Sequence, residues 1–392
     1  MRLRVAILRD ISYNPNTYGE QMKAIIVAAG LFLVACVAGC GGKSSNTTGT
    51  LSSEVVYVAG PTSTNVFGFK QNPAGSLSPL STAMFAAGSS PSAVALTTVT
   101  SSTTSTKVAY VADAVDNNIR MYTVDANGLF TATGTPVSVG TTPVAMILTG
   151  SVLLVLNQGS ASISSFTIDP TVGTLTAVAG TPVATPANPA SMVLARNQGF
   201  LYVITPGVSN ASITGYTVSV AGVVSLISNP AFPATAGKSA AGMAVDPTGR
   251  FLYAADTANN GMVGFAIQSA TGILGPGQLP GSPFAAGTAP VALAIDSNGA
   301  ALFVANQGSN NITAYTIGSS SGTLNAVVGS PFAGGTGPAF VTVDVSNKFL
   351  YVGNQGSKNI SAFSFTSSGT LSAVSGSPFS VGTTPAWITT IH

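Results

Sequence analysis

The sequence predicts an all-β chain closed as a seven-bladed β-propeller, with four antiparallel strands per blade. Three observations lead there. A large residue recurs at Tyr57, Tyr110, Leu154, Tyr202, Tyr253, Phe303 and Tyr351, in steps of 44 to 53 residues. A second follows each of them, at Phe69, Tyr122, Phe166, Tyr216, Phe265, Tyr315 and Phe363, and no stretch carries the apolar period of a helix. Each repeat also divides into four short apolar or alternating runs. Four strands in a unit of this length, kept in phase seven times, is the pattern of propeller blades. A β-sandwich would not hold seven copies in phase, and the coils of a parallel β-helix are shorter.

The sixth copy shows each element in order. PVALAID, ALFVANQG, NITAYTI and GTLNAVVG are rich in Val, Ile, Thr and aromatics, and Gly, Asn, Ser or Pro bounds each of them. A proline opens the first run of a copy at Pro91, Pro143, Pro189, Pro290, Pro338 and Pro385, with Ala240 in the remaining slot. Glycine hairpins such as Gly173-Thr174-Leu175, Gly322-Thr323-Leu324 and Gly369-Thr370-Leu371 join the last two runs. The first repeat starts at its second strand (EVVYVAG), and the chain ends on a lone first strand, PAWITTIH. The C-terminal strand is therefore expected to complete the N-terminal blade, which closes the ring and removes its open edges.

Three segments are expected. Residues 40–53 and 54–392 are a tether and the propeller; residues 1–39 read as a secretory signal, with 1–21 an upstream start-site overcall ahead of Met22-Lys23. The apolar block AIIVAAGLFLVACVAG follows Lys23 and ends at Cys40. Val37-Ala38-Gly39-Cys40 is similar to the lipobox of bacterial lipoproteins, which implies that Cys40 is the lipid attachment site; a plain cleaved signal is the alternative. Leu33-Val34-Ala35-Cys36 fits the same pattern but lies inside the apolar stretch. GGKSSNTTGTLSS then supplies a flexible linker. The expected place is the outer membrane or the outer face of the plasma membrane, facing periplasm or exterior, held by the lipid alone.

Composition excludes several classes. Charged residues are 6% of the chain, too few for a coiled coil or a disordered polyampholyte. Arg2, Arg4, Arg9, Lys23, Asp10 and Glu20 leave with residues 1–39, so nine charges of each sign remain. A neutral body gives no support for a nucleic-acid partner. No cysteine follows Cys40, which removes disulfides, thiolate nucleophiles and cysteine metal sites from the propeller. No cofactor and no metal is expected, and the body is expected to be a monomer.

The segments YVANQGSNNITAYTI-like at 303–317 and 351–365, with GSPFAAGTAPVALAID at 281–296, resemble the lactonase-type seven-bladed propellers, which include 6-phosphogluconolactonase. The resemblance covers about residues 54–392. It implies hydrolysis of a lactone ring by His, Glu and Arg at a tunnel mouth. This chain has one histidine, His392, and only one glutamate after residue 39, Glu54. Neither matches a family catalytic position.

Other residues are therefore weighed for chemistry. Asp246, Asp296 and Asp344 open the first-to-second strand turns, where an aspartate hydrogen-bonds its own backbone. On the opposite face the second-to-third strand loops begin at Gly60, Asp113, Asn157, Thr205, Asp256, Asn306 and Asn354. That polar ring reads either as Asx-type turn chemistry or as a ligand ring, with Asp113 and Asp256 as candidate bases. Lys238 stands where five other copies carry Ser or Thr two residues before the proline (Ser89, Thr141, Thr288, Thr336 and Thr383), a candidate anion holder. Phe340 and Trp387 replace small residues on the last two inner strands, either to fill the closure seam or as a stacking wall. The ligand is expected to be a small lactone or glycan, or the partner an envelope protein. A non-catalytic binding propeller is the alternative to the hydrolase.

Overall fold

In a computed structural model, the structure describes residues 54–207, 211–228, 234–235 and 242–391. Seven antiparallel sheets are arranged as the repeats predict. Blade two is the plainest: Pro91–Ser101 is innermost, followed outward by Thr104–Asp113, Asn118–Val124 and Phe130–Ser138. Blade one is built from both ends of the chain. Trp387–Ile391 is its innermost strand and pairs antiparallel with Val55–Ala59, with Val55 opposite Ile391 and Ala59 opposite Trp387. The expected closure is what the chain does.

Six of the second strands are buried along their whole length, and that of blade two from Lys107 to Asp113, because their side chains alternate between two neighbours. In blade five (second strand Phe251–Asp256), Tyr253 and Ala255 pack toward blade six, while Leu252 and Ala254 pack toward blade four. Burial on both faces is why these strands read as near-continuous apolar runs. The described core is seven such clusters, one per blade interface.

The recurring aromatic of the second strand also ties each blade to the next. The hydroxyls of Tyr57, Tyr110, Tyr202, Tyr253 and Tyr351 donate to the carbonyls of Gly128, Gly173, Gly272, Gly322 and Gly75, at 2.6–3.0 Å. Those glycines lie in the outer hairpin of the following blade. Burial pushes these phenols well above their ordinary range, so they remain donors. In blade three, where Leu154 has no hydroxyl, Ser165 donates to Gly222 O instead, at 2.7 Å.

One detail differs from the expectation of four unbroken strands. In five blades the outermost strand is two short pieces, as in blade six with Leu324–Ala326 and Phe332–Ala333. The intervening Gly-Ser-Pro makes the break. Gly329 turns at φ +88°, Ser330 N donates to Val327 O, and Pro331 has no N–H for the ladder. Ser330 Oγ then accepts the amide of Ala314 that the ladder leaves free, at 3.0 Å. Ser282 and Ser377 do the same for Gly264 and Ala362.

Candidate functional site

The lower face carries the first-to-second strand turns, and there the aspartates act on their own backbone. Asp296 Oδ1 accepts Ala300 N and Ala301 N at 2.6 and 2.7 Å; Asp344 Oδ1 accepts Lys348 N and Phe349 N, both at 2.8 Å. Asp246 does likewise with Arg250 N and Phe251 N. These carboxylates organise turns, as the sequence reading has it.

The polar ring lies on the upper face, and most of its members pin loops. Asp113 is fully buried and accepts three backbone amides, from Ser90, Val115 and Asp116, at 2.7–2.9 Å. Asn306 accepts Gly287 N at 3.1 Å and donates to Asn311 Oδ1 and Thr313 Oγ1, both at 2.8 Å. Asn354 donates to Asn359 and Ser361, and Asn157 to Ser162 and Ser164. The ring is thus a set of separate pins, each inside its own blade, and does not converge on a common point. A second series of asparagines joins neighbours: Asn117, Asn260 and Asn310 accept amides from Thr142, Ala289 and Gly337 in the next blade, at 2.7–2.9 Å. Their left-handed backbone, φ +55° to +56°, suits asparagine.

Asp256 departs from this pattern. It borders a cleft of about 510 Å³ with Asn259, Asn260, Gly261, Val263, Gln278, Pro283, Phe284 and Ala285. In blade six the ring residue Asn306 is opposite Asn311, and Thr313 follows; in blade five the matching residues are Gly261 and Val263. The side chains that occupy an Asn amide in blade six are missing here, and their absence opens the cleft. Asp256 accepts Asn259 N at 3.2 Å and Asn259 Nδ2 at 2.7 Å. Asn260 uses its oxygen for Ala289 N, and Gln278 uses its oxygen for the Ser282 hydroxyl. Neither amide NH₂ has a hydrogen-bond partner among the described residues. Gln278 ends the strand Leu274–Gln278, whose register slips between Phe265 and Ile267 on the strand it pairs with.

Trp387 and Phe340 are elsewhere, on adjacent innermost strands. Their rings are 5.3 Å apart and tilted by 38°. The indole does more than fill the seam. Its Nε1 donates to Val94 O of blade two at 3.0 Å, and the ring packs against the clusters between blades one and two, two and three, and three and four. A side chain anchored in blade one that reaches all of these spans the central bore.

Lys238 and Cys40 lie outside the described residues, as do residues 1–53, where the signal and tether are expected. No group of three or more His, Cys, Asp or Glu that could hold a metal occurs among the described residues.

The family model for lactonase, a seven-bladed β-propeller, matches residues 49–188, 222–331 and 280–388. The chain belongs to that family. Among solved structures, a putative 6-phosphogluconolactonase from Bacteroides uniformis is 18% identical with a TM-score of 0.68, covering 87% of this chain and 100% of its own. One from Bacteroides fragilis is 15% identical, TM-score 0.67, covering 88% and 100%. The periplasmic gluconolactonase PpgL of Pseudomonas aeruginosa is 18% identical, TM-score 0.62, covering 86% and 99%. At these identities the likeness is one of fold. None of the curated proteins matches the chain.

The residues that sequence reasoning missed are Asn259, Asn260, Gly261, Gln278 and Phe284. A signal was present. At the start of the third strand the other six blades carry Asn or Ser (Asn65, Asn118, Ser162, Ser212, Asn311, Asn359), and Gly261 breaks that series beside the one described carboxylate that lines the cleft.

Proposed function

We propose that this lactonase-family propeller binds and hydrolyses a lactone in the blade-five cleft, with Asp256 as the base that activates water. The observation that carries the reading is the cleft itself: a ring carboxylate at its edge, with amide donors from Asn260 and Gln278 beside it. A carboxylate within reach of a water, and N–H donors aimed at the carbonyl oxygen as it gains charge, are the two components that ester hydrolysis needs. Related structures are named as lactonases, which supports the substrate class.

The test is hydrolysis of a lactone panel by the purified propeller beside Asp256→Asn. Asparagine is what blades three, six and seven carry at this ring position, so the variant should fold as well as the parent. Loss of about a hundredfold or more in rate, with unchanged melting temperature, is the expected result. Equal rates would remove Asp256 from the mechanism. Flat traces throughout would favour the second reading, a non-catalytic binding propeller. One observation favours that alternative: Asp113, Asn157, Asn306 and Asn354 are all engaged in holding loops.

The address is part of the proposal: an exported lipoprotein, anchored through Cys40, whose propeller stands off the membrane on residues 40–53. Metabolic labelling with a fatty-acid probe, abolished by Cys40→Ser, is the expected outcome; labelling that survives the substitution rejects it.

A further inference from the structure

Where the ring closes, two carboxyl groups from different blades meet below the surface. Glu54 immediately precedes Val55–Ala59, the second strand of blade one, and Asp344 opens the lower turn of blade seven. Both are buried, with relative exposures of 6% and 3%, and so is Gln71 between them. Gln71 Nε2 donates to Glu54 Oε2 at 3.3 Å and to Asp344 Oδ2 at 3.4 Å. The two acids are supplied unequally. Asp344 accepts two backbone amides at 2.8 Å and the Ser346 hydroxyl, whereas Glu54 accepts Val345 N at 3.3 Å and the long Gln71 contact. Two adjacent anions in a dry seam are unfavourable, and the acid with fewer donors takes the proton.

We propose that Glu54 and Asp344 form a proton-operated latch on the ring: protonated Glu54 bonds to Asp344 and fastens blade one to blade seven, and its ionisation loosens the seam. Burial first, and the Asp344 charge second, push Glu54 up to about 8. The direction follows from that rise. An acid whose pKa is higher folded than unfolded contributes its stabilisation fully below its ordinary range, and that contribution fades as pH climbs through the folded value. The latch is strongest at acid pH, weakens progressively between about 4.5 and 8, and contributes nothing further above that.

Other groups packed around it are few. Tyr351, from the second strand of blade seven, feels both carboxylates and keeps its proton, with its hydroxyl on Gly75 O. Lys70 lies opposite Val55 and Lys348 follows the Asp344 turn, both with exposed side chains. Thr390 of the closing strand acts the other way on Glu54, lowering it, and is outweighed by burial and Asp344. His392, next along that strand, lies outside the described residues and calls for a His392→Asn control.

The test reads the latch in two ways on the full chain. Glutamate-selective ¹³C labelling gives two side-chain carboxyl resonances, from Glu20 and Glu54, and Glu54→Gln assigns them. A Glu54 midpoint near 8 is expected; a midpoint near 4.5 overturns the proposal. Hydrogen exchange of the Val55–Ala59 and Trp387–Ile391 amides, corrected for intrinsic rates, is then followed from pH 5 to 9. Protection in the parent should fall about a hundredfold across that range, while Glu54→Gln stays level and His392→Asn follows the parent. A parent profile as flat as that of Glu54→Gln, or a slope that disappears in His392→Asn, rejects the latch.

Discussion

Replacing Trp387 with alanine removes the side chain that reaches across the bore, and the structure sets the size of the effect. Three contributions are lost: the indole hydrogen bond to Val94 O, the tilted stack on Phe340, and the apolar contact with three interface clusters. The hydrogen bond contributes about 1 kcal/mol. The ring pair adds about 0.5–1.5 kcal/mol beyond its area. Buried tryptophan-to-alanine changes cost about 3–5 kcal/mol in total; because Trp387 is only half-buried and water can enter the emptied bore, we expect the lower end, about 3 kcal/mol. Urea unfolding followed by far-ultraviolet circular dichroism measures this. Trp387→Phe separates the parts: it keeps the ring contact and loses the donor, so its cost should be about 1 kcal/mol. Trp387 is also the only tryptophan, so fluorescence of the parent reports the bore alone. The fluorescence and dichroism transitions should coincide if closure is part of one cooperative unit. A loss under about 1 kcal/mol for Trp387→Ala would mean that the indole does not bridge the blades.

Deleting Pro385–His392 removes the innermost strand of blade one and its pairing with Val55–Ala59; rapid digestion by a nonspecific protease is expected, and a resistant truncation would refute the closure. Tyr253→Phe leaves the Gly322 carbonyl without its 2.6 Å donor and should cost about 1 kcal/mol, read as a lower urea midpoint at unchanged slope. Gly287→Ala would place a Cβ 2.5 Å from Ser309 Oγ and 2.7 Å from Asn306 Cγ, so a loss of about 1–3 kcal/mol in the same assay is expected. Gly261→Asn restores the side chain that closes this space in the other blades; it should abolish ligand-induced thermal stabilisation without lowering the melting temperature of the free protein.

Much of the fold was legible because a propeller repeats one physical solution seven times. The Tyr-to-Tyr step marks a strand buried between two neighbours, and the same tyrosine needs a glycine carbonyl one blade away, so two spaced signals report one interface. The lone strand at the C-terminus announced the closure. The break of the outer strand was harder to see, since GTLNAVVG reads as one apolar run and the interruption comes after it, from Gly-Ser-Pro. The site was less legible for a different reason. Asp113 and Asp256 hold the same place in the repeat, and what separates them is the residue paired across the ladder, Asn118 for one and Gly261 for the other, a signal that shows its meaning only once the pairing is known. Trp387 could be read as seam or wall because its reach across the bore depends on side-chain direction, which spacing does not encode.

Repetition also limits where chemistry can reside. A side chain that serves the same loop in several blades already has its hydrogen bonds assigned, as Asn157, Asn306 and Asn354 do, and a ligand would have to displace them at the cost of a loop. A position is open to a ligand only where the repeat leaves space beside it. Blade five meets that condition. Asp substitutes for the ring Asn, and Gly261 for the residue that would fill the space beside it, so the carboxylate borders a cleft. Restoring either partner is therefore a sharper test than an alanine scan of the ring. Alanine at Asn306 reports the stability of a loop, whereas asparagine at Gly261 closes the cleft and leaves every other blade unchanged.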